Sequence, residues 1–428
     1  MAKKQEFYGW KLLAALFALD FINMGFPYYG GSVIGSYMQI PMSRSMYGMG
    51  FTLVNLFVGL AAVFVAMSIV KYGLRATFVA GSALICVGSL FLGFYASKPW
   101  HYLVAFGVIN GTGISFATLV PAATAVTRWF RRYRGRAMGI ALSASGIAGL
   151  VVSRLLDRML RAAGGNWHVG WMIVAGAAVI AGIMAFLFVK ESPESLGQTV
   201  DGISDEEQKH ASRTDALATK YSWTTTEAYQ TPAYWLIVIA SIAAQYPFFF
   251  MIAHWVKHLR GTGVASADAA LAMGFLTIGT LLGRTLGGWL MDVMNARYAY
   301  MIGLCFYFIA AFCALRVTPD SLWTTAYPAS VLTGAAFGWT FTCMNTCTAH
   351  YYGPAAFPKL NGAMVMLTST LASPAGYVGG KIFDHYGSYS RAFEYEAVLA
   401  AIAILAMAFA TMPKPRTAAG ATEPQATT

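Results

Sequence analysis

Charged residues are scarce in this chain of 428 residues, because Asp, Glu, Lys and Arg together form only 11% of it. Ordinary soluble proteins carry about 25% of these residues, so a soluble multidomain protein is excluded. The five cysteines show no CxxC spacing, which argues against a disulfide framework and a zinc site. No GxxxxGKS/T phosphate loop is present, which excludes an ATP-driven pump built on this chain alone. We expect no metal and no cofactor.

Apolar sequence dominates instead, since 57% of the residues are hydrophobic and 43 more are glycine. A helix needs about 20 apolar residues to cross a bilayer core. We therefore expect an all-α membrane protein with twelve spanning helices, predicted at 9–38, 46–70, 76–96, 99–127, 137–160, 168–189, 233–258, 268–292, 297–317, 322–350, 361–383 and 391–412. A polar cytoplasmic linker, 190–232, is predicted to separate an N-terminal half, 1–189, from a C-terminal half, 233–412, with a flexible cytoplasmic tail at 413–428.

Basic residues are distributed unevenly between the two predicted membrane faces. If the N-terminus is cytoplasmic, 18 Lys and Arg residues fall on that side and ten on the other, which leaves Arg284 inside a span. Cations are retained in the cytoplasm, and the RWFRRYRGR loop at 128–136 shows the strongest bias. Both termini are therefore predicted to be cytoplasmic. The net charge of +11 points to the surface of the lipid bilayer, and no nucleic-acid partner is expected.

The two halves resemble each other in sequence. NGTGISFATLVPAATAVTRWF in the predicted fourth helix runs parallel to TGAAFGWTFTCMNTCTAHYYG in the tenth, at an offset of about 223 residues. Such a half-length repeat is typical of transporters whose halves rock around a site near the membrane midplane. A structural scaffold or a channel would not require it, although a duplicated channel remains the alternative.

Three segments resemble the major facilitator superfamily: FYGWKLLAALFALDF in the first helix, RWFRRYRGRAMGIALSASGIAG around the fifth, and GRTLGGWLMD in the eighth. More narrowly, they are similar to bacterial monocarboxylate porters and oxalate/formate antiporters. The resemblance implies two pseudo-symmetric six-helix halves and a bacterial inner membrane. The superfamily's loop motif survives as Gly288, Leu290 and Asp292, which makes Asp292 a predicted gate residue. Val70 stands at the corresponding aspartate position of the first half.

One charge, Arg284, interrupts the apolar run 269–291. A buried guanidinium is costly without a partner or a water cavity, so it marks a functional site by default. Its planar fork of donors matches a carboxylate. The resemblance implies the same role, because the porter branch has an arginine in this helix. The alternative is a permanent ion pair with a helix acid, or stacking on an aromatic ring. Thr280, one turn earlier, stands where much of the branch has an acid or an amide.

Asp20 is the other charge deep in a predicted span. Desolvation favours a role as proton carrier, while the alternative is a hydrogen-bonded acid that joins helices. His254 shares a helix face with Tyr246 and Phe250, and the resemblance implies a place in the pocket. Asp20 is predicted to carry the coupled proton, and His254 is the next candidate. An interfacial role is the alternative for His254.

Further pocket and gate residues follow from helix position and from the resemblance. The expected substrate-binding side chains besides Arg284 and His254 are Tyr28, Tyr29, Leu119, Trp339, Ser369, Ser373 and Tyr377. Asn345 and His350 join Asp292 as predicted gate residues. Arg154 is a reserve substrate cation, for which a local pair with Asp157 is the alternative.

These features predict a monomeric secondary transporter of small organic monocarboxylate anions, coupled to protons by symport and working by alternating access. A single deep arginine balances one carboxylate. An antiporter of dicarboxylates, or of substrate against product, is the alternative. A drug exporter is disfavoured because Arg284 repels cations. An enzyme is not expected, since no nucleophile, base and orienting group fall at an interpretable spacing.

Overall fold

The computed structural model describes residues 7–130, 134–202, 221 and 223–414. It is all-helical with twelve long helices, which confirms the predicted fold class. The N-terminal half contains α1 at Gly9–Tyr37, α2 and α3 within Arg44–Tyr95, α4 at 99–129, α5 at Arg134–Ala162 and α6 at Trp167–Phe188. The C-terminal half contains α7 at Pro232–Gly261, α8 at Ser266–Val293, α9 at Ala296–Leu315, α10 and α11 within Ala326–Ala372 and Ala375–Tyr386, and α12 at Ser390–Phe409.

Nine helices among the described residues are long and apolar enough to cross a membrane. The segment Arg44–Phe94 is counted once among them although it contains both α2 and α3. Length and composition therefore agree with a chain that passes through the bilayer many times.

Two glycines form the turns at which α2 passes into α3 and α10 into α11. The φ angle is 87° at Gly73 and 72° at Gly353, a left-handed conformation that other residues rarely adopt. Both turns lie on the side of the molecule that carries the segment between α6 and α7. We call this the linker side and the opposite face the distal side.

The carboxylate of Glu191 caps the start of α3. It accepts hydrogen bonds from the backbone N–H groups of Leu74 at 2.7 Å and Arg75 at 3.0 Å. Arg128 forms an ion pair with it at 3.4 Å. An acid at a helix N-terminus satisfies N–H groups that have no partner inside the helix. The turn thus receives a carboxylate from beyond α6, although the motif position in α2, Val70, is apolar.

Glu191→Gln should lower the melting temperature of the purified protein, because the charge at the start of α3 and the ion pair with Arg128 are both lost. Helix caps contribute about 1 kcal/mol. Glu194→Gln is the matched control, since Glu194 is an exposed acid of the same segment. Equal melting temperatures for the two variants would contradict the capping role.

Helices α1 and α4 are both distorted in their middle. In α1, a π-helical turn at Gly25–Tyr29 contains Pro27, which has no N–H to donate. In α4, a π-helical stretch at Leu103–Asn110 is followed by a break at Thr118, where φ is −132° and ψ is −114°. The two tyrosines that end the turn in α1 are buried in the bundle.

Helices α8 and α10 are in backbone contact. A Cβ atom added at any of four glycines would overlap backbone atoms of the opposite helix, at Gly279, Gly283, Gly334 and Gly338. Small residues allow this close approach, which gains dispersion contacts in lipid. The packing holds Arg284, on α8, in a fixed position against α10.

Candidate functional site

Arg284 extends from α8 into the bundle and is half-buried. Its guanidinium carbon lies 5.8 Å from the centre of the Phe341 ring on α10. Its Nε is buried and has no hydrogen-bond partner within the described part of the chain. The aromatic contact expected as an alternative is therefore present, and it leaves the Nε donor unused. A buried, unused guanidinium donor is costly unless an anion binds to it.

Asp20 lies on α1 and is 5% exposed. Ser145 on α5 hydrogen-bonds its carboxylate. The other oxygen, Oδ2, is buried without a partner among the residues that the structure describes. Asp20 and Arg284 attract each other across the boundary between the halves. They are not among the described ion pairs, whose nitrogen–oxygen distances are 4.0 Å or less. The two charges therefore interact across the boundary without forming a contact pair.

Tyr29 interacts electrostatically with both Arg284 and Asp20 and is itself 5% exposed. We call Asp20, Tyr29 and Arg284 the central cluster. The neighbouring Tyr28 packs its ring 5.5 Å from that of Tyr29. Its hydroxyl donates to Oδ1 of Asn55 on α2 at 3.0 Å. The structure thus brings three of the predicted site residues together from opposite halves and holds Tyr28 next to them.

His254 is fully buried and uses both ring nitrogens. Nε2 lies 2.6 Å from the carbonyl oxygen of Gly376 on α11, and Nδ1 lies 2.9 Å from the hydroxyl of Tyr389. A carbonyl only accepts, so Nε2 carries a proton, and a neutral ring accepts from the tyrosine through Nδ1. In this state His254 joins α7 to α11 and to the start of α12. Its roles toward substrate and proton stay predictions.

Trp339 and Leu119 occupy different environments. The indole Nε1 of Trp339 donates to the carbonyl of Ala299 at 2.7 Å, which packs α10 against α9. Leu119 follows the break in α4 and is 48% exposed. No described contact assigns either residue to a substrate, and both roles stay predictions.

The three predicted residues of α11 lie around the junction of its two segments. Ser373 is buried and donates to the carbonyl of Thr370 at 2.8 Å. Ser369 is half-buried, and its carbonyl accepts from the backbone of Ser373. The backbone N–H of Tyr377 donates to the hydroxyl of Thr52 on α2 at 3.2 Å, which joins the two halves.

The predicted gate residues lie toward the linker side. Asn345 donates to the carbonyl of Phe341, one turn earlier on α10, at 2.7 Å. His350 lines a cavity of about 240 Å³ together with Arg297. None of the residues that line this cavity belongs to the central cluster. The side chain of Asp292 lies outside the described part of the structure.

Arg154 is exposed on α5. The partner expected for it, Asp157, forms an ion pair with Arg161 instead, at 2.9 Å. The i, i+4 spacing suits this pair. Tyr37 from α1 also donates to Asp157, at 2.7 Å. Asp157 therefore pairs with Arg161 and joins α5 to α1, and it does not form the expected pair with Arg154.

One buried acid was missed by reasoning from the sequence. Glu396 on α12 is 5% exposed, and its Oε1 has no hydrogen-bond partner among the described residues. It lies near one end of the predicted span 391–412, where an acid is ordinarily exposed to water. Its spacing from Phe393 and Ala400, one turn to either side, was the available signal that it faces inward. Asp20 is thus not the only acid buried in a span.

Hydrogen bonds that join the two halves cluster on the distal side. Besides the bond from Tyr377 to Thr52, the pairs are Tyr37 with Ser266, Asp157 with Ser266, Arg260 with Ser36, and Asp384 with the backbone N–H groups of Arg44 and Ser45. They connect α1, α2 and α5 to α7, α8 and α11. The molecule is therefore closed on its distal side in this state.

The chain matches the family model of the Major Facilitator Superfamily over residues 7–369 and 234–427. Together with the twelve-helix fold, this match shows that the chain belongs to the Major Facilitator Superfamily. The protein is accordingly a multi-pass membrane transporter and not an enzyme.

Curated relatives are distant. The rat (Rattus norvegicus) protein "Monocarboxylate transporter 12" is 25% identical over 342 residues, which cover 74% of this chain and 68% of the rat protein. An uncharacterized MFS-type transporter, YcxA of Bacillus subtilis, is 24% identical over 378 residues, 82% of this chain and 84% of that protein.

Solved structures agree with the fold. A bacterial homolog of the human lysosomal transporter Spinster, in an inward-facing and unoccupied conformation, gives a TM-score of 0.71 at 17% identity and covers 95% of this chain and 97% of its own. A D-xylose-proton symporter gives a TM-score of 0.66 at 15% identity, with coverage of 94% and 97%. At these identities the likeness concerns the fold alone.

Proposed function

We propose that this transporter carries small organic monocarboxylate anions together with protons, and that the central cluster binds both. The observation that carries the proposal is the buried, unused Nε donor of Arg284, whose guanidinium attracts Asp20 without forming a contact pair. The relatives named monocarboxylate transporters support the substrate class. One chain is sufficient for this mechanism, and a monomer is proposed.

The substrate carboxylate binds to Arg284. A guanidinium presents a rigid fork of donors that matches two carboxylate oxygens, and Nε is one of these donors. Phe341 supports the guanidinium from α10 while leaving Nε unused. The phenol of Tyr29 adds one further hydroxyl beside the same charges.

Proton coupling follows from the opposite charges of the cluster. In the unloaded state the attraction of Arg284 favours the ionised form of Asp20 and opposes the effect of its burial. When a substrate carboxylate neutralises Arg284, Asp20 loses this attraction in a buried environment and takes up a proton. Substrate and proton therefore bind cooperatively, and each increases the affinity for the other by the same factor.

Alternating access uses the position of the cluster between the halves. Asp20 and Tyr29 belong to α1, whereas Arg284 belongs to α8, so rocking of one half against the other exposes the cluster first to one side and then to the other. We propose that the linker side is cytoplasmic in a bacterial inner membrane, and that the described state opens toward it.

Uptake of labelled acids into proteoliposomes tests the function directly. We expect an inward pH gradient, acid outside, to drive accumulation of acetate, lactate, pyruvate or benzoate above the outside concentration and faster than in protein-free liposomes, and a protonophore to abolish it. Accumulation that does not depend on the pH gradient, or transport of cations in place of acids, would contradict the proposal.

The topology predicts that Ser195→Cys and Thr262→Cys react with membrane-impermeant thiol reagents from opposite sides, in a background without the five native cysteines. Ser195 lies on the linker side and Thr262 on the distal side, and both are exposed. In cells, only the distal cysteine should be labelled from outside. Labelling of both cysteines from the same side would defeat the topology.

A further inference from the structure

Three cation–π contacts join the halves on the distal side. Arg44 of α2 lies 5.1 Å from the ring centre of Phe383 on α11. In the other two contacts the cation belongs to α7 of the C-terminal half and the ring to the N-terminal half. The ammonium of Lys257 lies 3.3 Å from the ring centre of Tyr47 on α2, and the guanidinium of Arg260 lies 4.4 Å from the ring centre of Tyr37 on α1. In each contact the cation and the ring belong to different halves.

The three cations form one cluster. Lys257 is repelled electrostatically by both Arg44 and Arg260. Two acids of this contact do not pair with the three cations: Asp157 forms its ion pair with Arg161, and Asp384 accepts from backbone N–H groups of α2. The distal contact between the halves therefore carries an excess of positive charge, which is a costly way to join two surfaces.

Opening of the distal side must separate each cation from its ring, since the rings move with the other half. The cations then line the mouth of the opened cleft and face water. Aromatic faces attract cations because of their negative quadrupole, and a mobile anion attracts them for the same electrostatic reason. While the distal side is closed, the aromatic rings thus supply the electrostatic attraction for the cations that a bound anion supplies when it is open.

We propose that Arg44, Lys257 and Arg260 form a distal anion site that binds the carboxylate of the transported acid before it reaches Arg284. The inference rests on the proposed function, because it assigns the same substrate class to a second site. An anion held by these cations delays their return to the aromatic rings. When the anion moves on to Arg284, the cations return to the rings and the distal side closes.

The test compares uptake from the two sides of oriented proteoliposomes, with the best-transported member of a panel of labelled acetate, lactate, pyruvate and benzoate. In Lys257→Gln/Arg260→Gln, the KM for uptake from the distal side should rise roughly tenfold with the maximal rate retained. Raising the salt concentration should raise the distal KM of the parent protein through screening but leave that of the variant unchanged. The KM from the linker side should stay within about twofold of the parent value in both proteins.

Ring variants separate an anion site from a simple latch between the halves. Tyr47→Leu and Phe383→Leu remove the aromatic partners of Lys257 and Arg44 and keep the cations, so the distal KM and its salt dependence should survive in them. Lys381→Gln is the matched cation control, because Lys381 is exposed and contacts the ring of Tyr377 in its own half, at 5.8 Å. It should behave like the parent. Each variant is first shown to be monodisperse in detergent.

Two results would overturn the distal site while leaving the proposed function in place. One is an unchanged distal KM and salt dependence in Lys257→Gln/Arg260→Gln. The other is a rise in KM that the ring variants reproduce in full, since the cations would then act only as a latch. A parent protein that transports none of the four acids would overturn the proposed function and the distal site together.

Discussion

Arg284→Ala should abolish carboxylate binding, and Arg284→Lys should weaken it by about ten- to a hundredfold. The lysine keeps the positive charge but loses the planar fork, and a charge-assisted hydrogen bond contributes about 1.5 to 3 kcal/mol. At about 1.4 kcal/mol per decade, such a loss corresponds to the stated range in the dissociation constant. The alanine variant leaves Asp20 without its attraction and the substrate without a counter-charge. Binding is measured on purified protein by calorimetry or by competition with a labelled acid.

Two controls make this result specific. A neutral amide analogue of the substrate should bind poorly to the parent and lose little more on mutation, because it offers no charge to Arg284. Arg154→Ala removes an exposed arginine of α5 and should leave binding intact. A well-folded Arg284→Ala protein that still bound its acid normally would refute the assignment, and normal binding combined with a loss in Arg154→Ala would transfer the role to Arg154.

Asp20→Asn should abolish accumulation driven by a pH gradient while sparing the exchange of internal for external substrate. Exchange does not require release of the proton, so a residue that only carries the proton is dispensable for it. The asparagine retains a side chain that can hydrogen-bond Ser145, which limits structural damage. Both activities are measured in the same proteoliposome preparation, with and without a gradient.

Glu396→Gln is the matched control for this variant, since Glu396 is the buried acid of α12 and is equally little exposed. Gradient-driven accumulation should persist in it. Loss of accumulation in Glu396→Gln with retention in Asp20→Asn would assign the proton to α12. Retention in both variants would make Asp20 structural, and His254 would then be the next residue to replace.

The sequence was sufficient to predict the helices and the two most informative charges. Lone ionised residues in long apolar runs are conspicuous, and both Arg284 and Asp20 were identified on that basis, with the family resemblance pointing to the same role for Arg284. The breaks within the helices were harder to predict from the sequence. The π-helical turn before Tyr29 depends on how α1 packs, although Pro27 within it is visible in the sequence.

The sequence could not show which residues of the two halves lie close together in the fold. Asp20 and Arg284 lie on α1 and α8, and no periodicity relates residues so far apart in the chain. The same limit applies to the distal cations, because Lys257 and Arg260 read as ordinary interfacial residues until α2 and α1 place aromatic rings on them. Glu396 was missed for a local reason, since a position near the end of a span does not reveal which way the side chain points.

Proton uptake on substrate binding tests the coupling between Asp20 and Arg284 most directly. Purified protein is mixed with a monocarboxylate in weakly buffered solution near neutral pH, and the released or absorbed protons are followed with a pH indicator. The account predicts that the parent protein takes up protons when the anion binds, at most one per bound anion, and that Asp20→Asn binds the anion with no uptake. Binding to the parent without proton uptake, or equal uptake in Asp20→Asn, would contradict it.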